Sequence, residues 1–85
     1  NVWPERVRAF IETHERVSAC TVRATETQQG TRLKVFVVPH EPAGNDLQAD
    51  LRDWFRAKLP AAERPIHITV GDKLPRDHLG KHCDW

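Results

Sequence analysis

The chain has 85 residues, 29% of them charged and 39% apolar, and a formal net charge of +1. That length points to one small domain that buries roughly 60–65% of its unfolded surface, and the apolar share excludes a disordered polyelectrolyte. So even a charge balance gives no basic field for a nucleic-acid backbone, and no apolar run approaches the ~20 residues that cross a bilayer.

Trp3-Pro4-Glu5 reads as a helix start, because proline suits the first helical position and an acid suits the positive end of the helix. Val7, Phe10, Ile11 and His14 recur at helical spacing, which predicts a first helix over residues 4–14. Trp3 either stapes onto that helix, the plainer reading, or stands out as an exposed binding aromatic. Cys20, Val22 and Ala24 alternate with Thr21, Arg23 and Thr25, the period of a half-buried strand over residues 17–25. Gln28-Gln29-Gly30 is a turn with glycine available for positive φ. A second strand over residues 31–39 follows, and the short polar connection makes the two an antiparallel hairpin. Val35, Phe36, Val37 and Val38 are consecutive and apolar, which predicts cover on both faces.

Residues 40–44 form a loop. Asn45 with Gln48 three residues later fits a capping box. Leu47, Leu51, Trp54, Phe55 and Leu59 then mark an amphipathic helix over residues 46–59 that stops at Pro60, with Trp54 and Phe55 as the bulk of the core. Ile66, Ile68 and Val70 alternate with His67 and Thr69 in a third strand, and Gly71-Asp72 turns the chain into a final loop. The fold class is α+β: a three-stranded sheet, one antiparallel hairpin plus one further strand, packed against two helices.

Little else in the chain carries chemistry. Cys20 and Cys83 read as two lone thiols of a reducing, cytoplasmic setting, with a single disulfide as the alternative. A start at Asn1 rather than Met is expected of a processed product or of a piece of something larger. No Ser-His-Asp set suggests itself, and the four glycines are too scattered for a phosphate loop. His78, His82 and Cys83 come nearest to a metal cluster, but the spacing matches no standard zinc pattern and a fourth ligand is missing, so no metal site is expected. His14 reads as a histidine at the core edge.

The last dozen residues, LPRDHLGKHCDW, are the specific ones. Leu74-Pro75-Arg76, three intervening residues and Gly80-Lys81 resemble the closing motif of the adenylate-forming superfamily, the acyl- and aryl-CoA synthetases and their relatives. Asn1-Val2-Trp3-Pro4 followed by Val7 is similar to the stretch just after that family's inter-domain hinge. Arg32 to Pro39 resembles its small-domain strand ending in Val-Val-Pro, and Leu59-Pro60 and Arg64-Pro65 fall where the family carries a Leu and then an Arg-Pro pair. The chain departs from the pattern at Arg6 and Arg8, where glutamates are usual, and at Asp77, His78, His82 and Trp85.

The resemblance implies that residues 1–85 are the mobile C-terminal lid of a ligase whose large N-terminal domain holds ATP and Mg²⁺. Such a ligase converts a carboxylic acid and ATP into an acyl-AMP and pyrophosphate, then passes the acyl group to the thiol of CoA or of a carrier protein's phosphopantetheine. Lys81 would be the adenylation lysine, Arg76 and Gly80 its supporting loop, and Arg64 a contact for a CoA or carrier-protein phosphate. The partners implied are the chain's own large domain, a carboxylic acid, and CoA or an acyl carrier protein. The alternative is a free-standing, non-catalytic module of the same fold that docks a carrier protein or another partner.

Overall fold

The computed structural model describes residues 3–41 and 46–74. They form α1 (Pro4–Ile11), β1 (Val17–Thr27), β2 (Gly30–Pro39), α2 (Asp46–Lys58), a 3₁₀ turn (Ala61–Glu63) and β3 (Pro65–Val70). The sheet order is β1-β2-β3. β1 and β2 are antiparallel, as the short connection requires, and Gly30 at φ 104° makes the turn that joins them. β3 pairs parallel to β2, with Val35 opposite Ile68 and Val37 opposite Val70. Parallel neighbours need a crossover of a dozen or more residues, and α2 with the 3₁₀ turn provides it. The α+β class therefore holds, with a mixed sheet.

One core joins the layers. Val7 and Ile11 from α1, Leu47, Leu51 and Phe55 from α2, and Leu33, Val35 and Val37 from β2 are all buried in a single cluster. Residues 33, 35 and 37 share one face because strand side chains alternate. On β1 the register shifts between Val17 and Ala19. The extra residue of that bulge lets Val17 and Cys20, three apart, both reach the core.

Several expectations need correction. α1 ends at Ile11 rather than residue 14, because the Thr13 hydroxyl and backbone N–H both bond the Phe10 carbonyl and turn the chain. Phe36 and Val38 are only half-buried, since the core lies on the other face of β2. Ala24 is exposed, beyond the helices' reach. Phe55 is buried, but Trp54 lies at the rim, stacked on Phe10 with ring centroids 4.7 Å apart and planes 6° apart. Trp3 is not a staple: it is 61% exposed, and its carbonyl accepts the Arg6 and Val7 N–H groups. Asn45 lies outside the described residues. Gln48 donates its side-chain Nε2 to the Ile68 carbonyl at 2.8 Å, which ties α2 to β3.

Candidate functional site

β3 carries the chain toward the closing motif. Among the described residues its last tie to the sheet is the Gly71 N–H donating to the Val37 carbonyl at 3.1 Å. The Phe36 ring lies directly over Gly71: a Cβ built there would run into the ring, with Cε1 at 3.0 Å. Gly71 is thus the residue that lets the chain leave the sheet beneath an aromatic ring. The predicted loop residues Arg76, Gly80 and Lys81 lie outside the described residues, as do His78, His82 and Cys83.

Arg64 is described, and its surroundings are informative. Its Nε donates to the Leu59 carbonyl at 2.8 Å and its Nη2 to the Arg56 carbonyl at 3.2 Å. Those carbonyls belong to the end of α2, where backbone acceptors lack partners within the helix and the dipole is negative. Two bonds from one planar guanidinium fix its orientation. Its Nη1 makes no hydrogen bond with the described residues. Beside it, Arg52, Phe55, Arg56 and Pro65 complete the lining of a surface pocket of about 150 Å³. Sequence reasoning passed over Arg52 and Arg56, whose signal is their spacing. Four residues apart on α2, they stand on the same side of the helix, just ahead of Arg64.

Elsewhere several titratable groups are occupied structurally. Arg8 bonds Glu5 at 2.9 Å and Glu12 at 2.7 Å. The hydrogen bond to Glu5, with help from Glu12, raises its pKa despite some desolvation. Arg8, in the last turn of α1, is thereby paired with an acid on either side of it in sequence. Arg16 bridges Asp50 at 2.7 Å and Asp46 at 3.1 Å, which pins the α1–β1 turn to the start of α2. His14 meets the Trp54 ring edge-on at 4.9 Å, and its Nδ1 accepts the Arg16 N–H at 3.1 Å, so it is the core-edge histidine expected. Cys20 is buried, and its Sγ donates to the Arg8 carbonyl at 3.5 Å. Burial first, and the Glu12 charge second, push its thiol up to about 12. Among the described residues no three His, Cys, Asp or Glu side chains converge on a cation position. These residues therefore do not fit a Mg²⁺ seat. No helix among them is long and apolar enough to cross a membrane.

The model of the AMP-binding enzyme C-terminal domain matches residues 7–81. The chain belongs to that family. It is the small domain of the adenylate-forming superfamily, and the match takes in Arg64 and runs through Arg76 and Gly80 to Lys81. A 4-coumarate–CoA ligase of Halorhodospira halophila is 40% identical over 83 residues, 95% of this chain and 21% of that protein. Among solved structures, o-succinylbenzoate CoA synthetase of Bacillus subtilis bound with the product analogue OSB-NCoA superposes with a TM-score of 0.76 at 26% identity. That superposition covers 98% of this chain and 17% of the other. The same enzyme in complex with the acyl-adenylate intermediate OSB-AMP gives a TM-score of 0.76 at 25% identity, over 96% and 16%. The chain spans about a fifth of the length of the curated CoA ligases that it matches.

Proposed function

We propose that this domain is the mobile lid of an ATP-dependent, acyl-adenylate-forming ligase of the acyl- or aryl-CoA synthetase kind, and that Lys81 is its adenylation lysine. The observation that carries the reading is the family match running to Lys81 through the Leu74-Pro75-Arg76 and Gly80-Lys81 pairs in order. The 4-coumarate–CoA ligase relative and the adenylate-bound neighbour support the same reaction class. In this proposal ATP, Mg²⁺ and the acyl pocket belong mainly to a large N-terminal domain, and the acceptor is the thiol of CoA or of a carrier protein's phosphopantetheine. The setting is the cytoplasm.

The chemistry asks for such a lysine. A carboxylate oxygen attacks the α-phosphorus of ATP while the bond to pyrophosphate breaks, so two anions must meet. An ammonium group donating to both offsets their repulsion and the charge that develops on the phosphoryl oxygens. Lysine brings a compact charge with three donors on a flexible stem. Gly80 permits a close approach of the backbone that a side chain would block, and Arg76 supports the loop. Arg64 meets a phosphate of the thiol substrate.

The test is ATP–pyrophosphate exchange by the full-length protein across a panel of carboxylic acids, wild type against Lys81→Ala. A loss of roughly a hundredfold to a thousandfold is expected, the cost of one transition-state donor, while thioester formation from preformed acyl-AMP is affected far less. Exchange that survives the substitution would return Lys81 to the solvated surface and favour the free-standing docking module.

A further inference from the structure

The closing motif is delivered by β3, and β3 is held up to its last residue. Val35 pairs with Ile68, Val37 pairs with Val70, and the Gln48 side chain bonds the Ile68 carbonyl at 2.8 Å. The Gly71 N–H then bonds the Val37 carbonyl, and among the described residues no later backbone bond ties the chain to the sheet. Gly71 is therefore the point of departure, three residues before Leu74 opens the motif. Phe36 stands over that point. It pairs with Thr21 of β1 and Thr69 of β3, so its side chain rises between two β-branched neighbours on the sheet face opposite the core. Gly71 follows Thr69 by two residues and shares that face, diagonal to Phe36 and within reach of an aromatic ring. The far end of the ring makes the contact: a Cβ at position 71 would strike Cζ first, with Cε1 at 3.0 Å and Cε2 at 3.5 Å. Bulk at position 36 and its absence at position 71 are complementary, and the core on the other face requires neither.

We infer that Phe36 is a positioning residue for acyl-adenylate formation: its ring, seated on Gly71, sets the direction in which the chain leaves β3, and so where the Lys81 ammonium group meets the reacting oxygens. The inference rests on the proposed function and deepens it. In this role Phe36 touches neither ATP nor the acid and acts only through the course of the chain. Pro75 disfavours a helical turn at Leu74, so the direction set at Gly71 is carried into the motif. A reacting group displaced by about 1 Å can lose about a hundredfold in rate.

The experiment uses the full-length protein with the acid it activates. ATP–pyrophosphate exchange, and thioester formation from preformed acyl-AMP, are followed for the wild type, Phe36→Leu, Gly71→Ala, the double variant and Lys81→Ala. Each single change is expected to lower kcat for exchange by about tenfold to a hundredfold, with the KM for ATP and the thioester step both within about twofold of the wild type. The double variant should be no slower than the worse of the two single ones, because the added methyl enters space that the ring has left and the two changes act on one contact. Far-UV circular dichroism checks that each variant is folded at the assay temperature. Should Gly71→Ala not fold, Phe36→Leu alone carries the comparison of the two half-reactions.

An exchange rate unchanged in Phe36→Leu would overturn the inference. Equal losses in the two half-reactions would do so too, since they are what a purely structural ring would produce, and so would losses that multiply in the double variant. Exchange that survives Lys81→Ala would instead overturn the underlying functional reading.

Discussion

At the scale of single residues, the chain uses its charges to finish backbone that the fold leaves unfinished. Arg64 bonds two carbonyls at the end of α2. Replacing it with Met removes both bonds, and a loss of about 1–3 kcal/mol in urea unfolding is expected. Unchanged stability would mean that water serves those carbonyls equally well. Cys20 gives a pH prediction. Its folded pKa is raised from 9.0 to about 12, so above pH 9 the unfolded chain releases a proton that the folded chain keeps. Stability should therefore fall between about pH 9 and pH 12, at up to about 1.4 kcal/mol per pH unit from this group. Thermal unfolding of wild type and Cys20→Ala over that range is the check: the alkaline decline should be shallower in the variant. The first effect comes from carbonyls five and eight residues before Arg64, reached only because the chain turns back after α2, and the second from the burial of Cys20 beside Glu12. For that reason neither could be read from the chain alone.

At the scale of elements, periodicity located the two helices and three strands within a few residues, because apolar spacing reports the face that a segment buries. It did not show what covers the opposite face. Val35 and Val37 are buried, while Phe36 and Val38 between and beyond them are half-buried, and the unbroken apolar run hid that difference. The 3₁₀ turn between Pro60 and Pro65 is too short for a period, and the parallel pairing of β3 follows from the crossover, which no local pattern reports. The closing motif was legible as a resemblance, whereas the pocket around Arg64 needed the fold to bring α2 beside β3.

Two glycines carry predictions at this scale. Gly30→Ala places a side chain at φ 104° and should cost about 1 kcal/mol or more. Gly71→Ala forces the Phe36 ring aside, and the double variant with Phe36→Ala should lose less than the sum of the two single losses. A strictly additive pair would mean that the ring is not what confines position 71.

For the molecule as a whole, the single cluster that joins α1, α2 and all three strands predicts one cooperative transition. Tryptophan fluorescence should report it through Trp54, in its stack with Phe10, and should coincide with far-UV circular dichroism during urea unfolding. Two separate midpoints would show that the α1–α2 rim melts independently of the sheet. The 85-residue chain by itself is expected to activate no acid, since in the proposed reaction it supplies one ammonium group to a pocket built elsewhere. Turnover of ATP by the purified chain would contradict that division of labour.

The bond between Glu12 and β1 also protects a sheet edge. Among the described residues β1 pairs with β2 on one side only, and a strand of eleven residues with an unpaired edge is a template on which another chain can add. The Glu12 carboxylate, already held by Arg8, accepts the Cys20 backbone N–H at 3.4 Å. A negatively charged acceptor thus occupies one rung of that edge, where an incoming strand would need its own carbonyl. The α1–β1 corner that builds the core also guards the domain against sheet-to-sheet association.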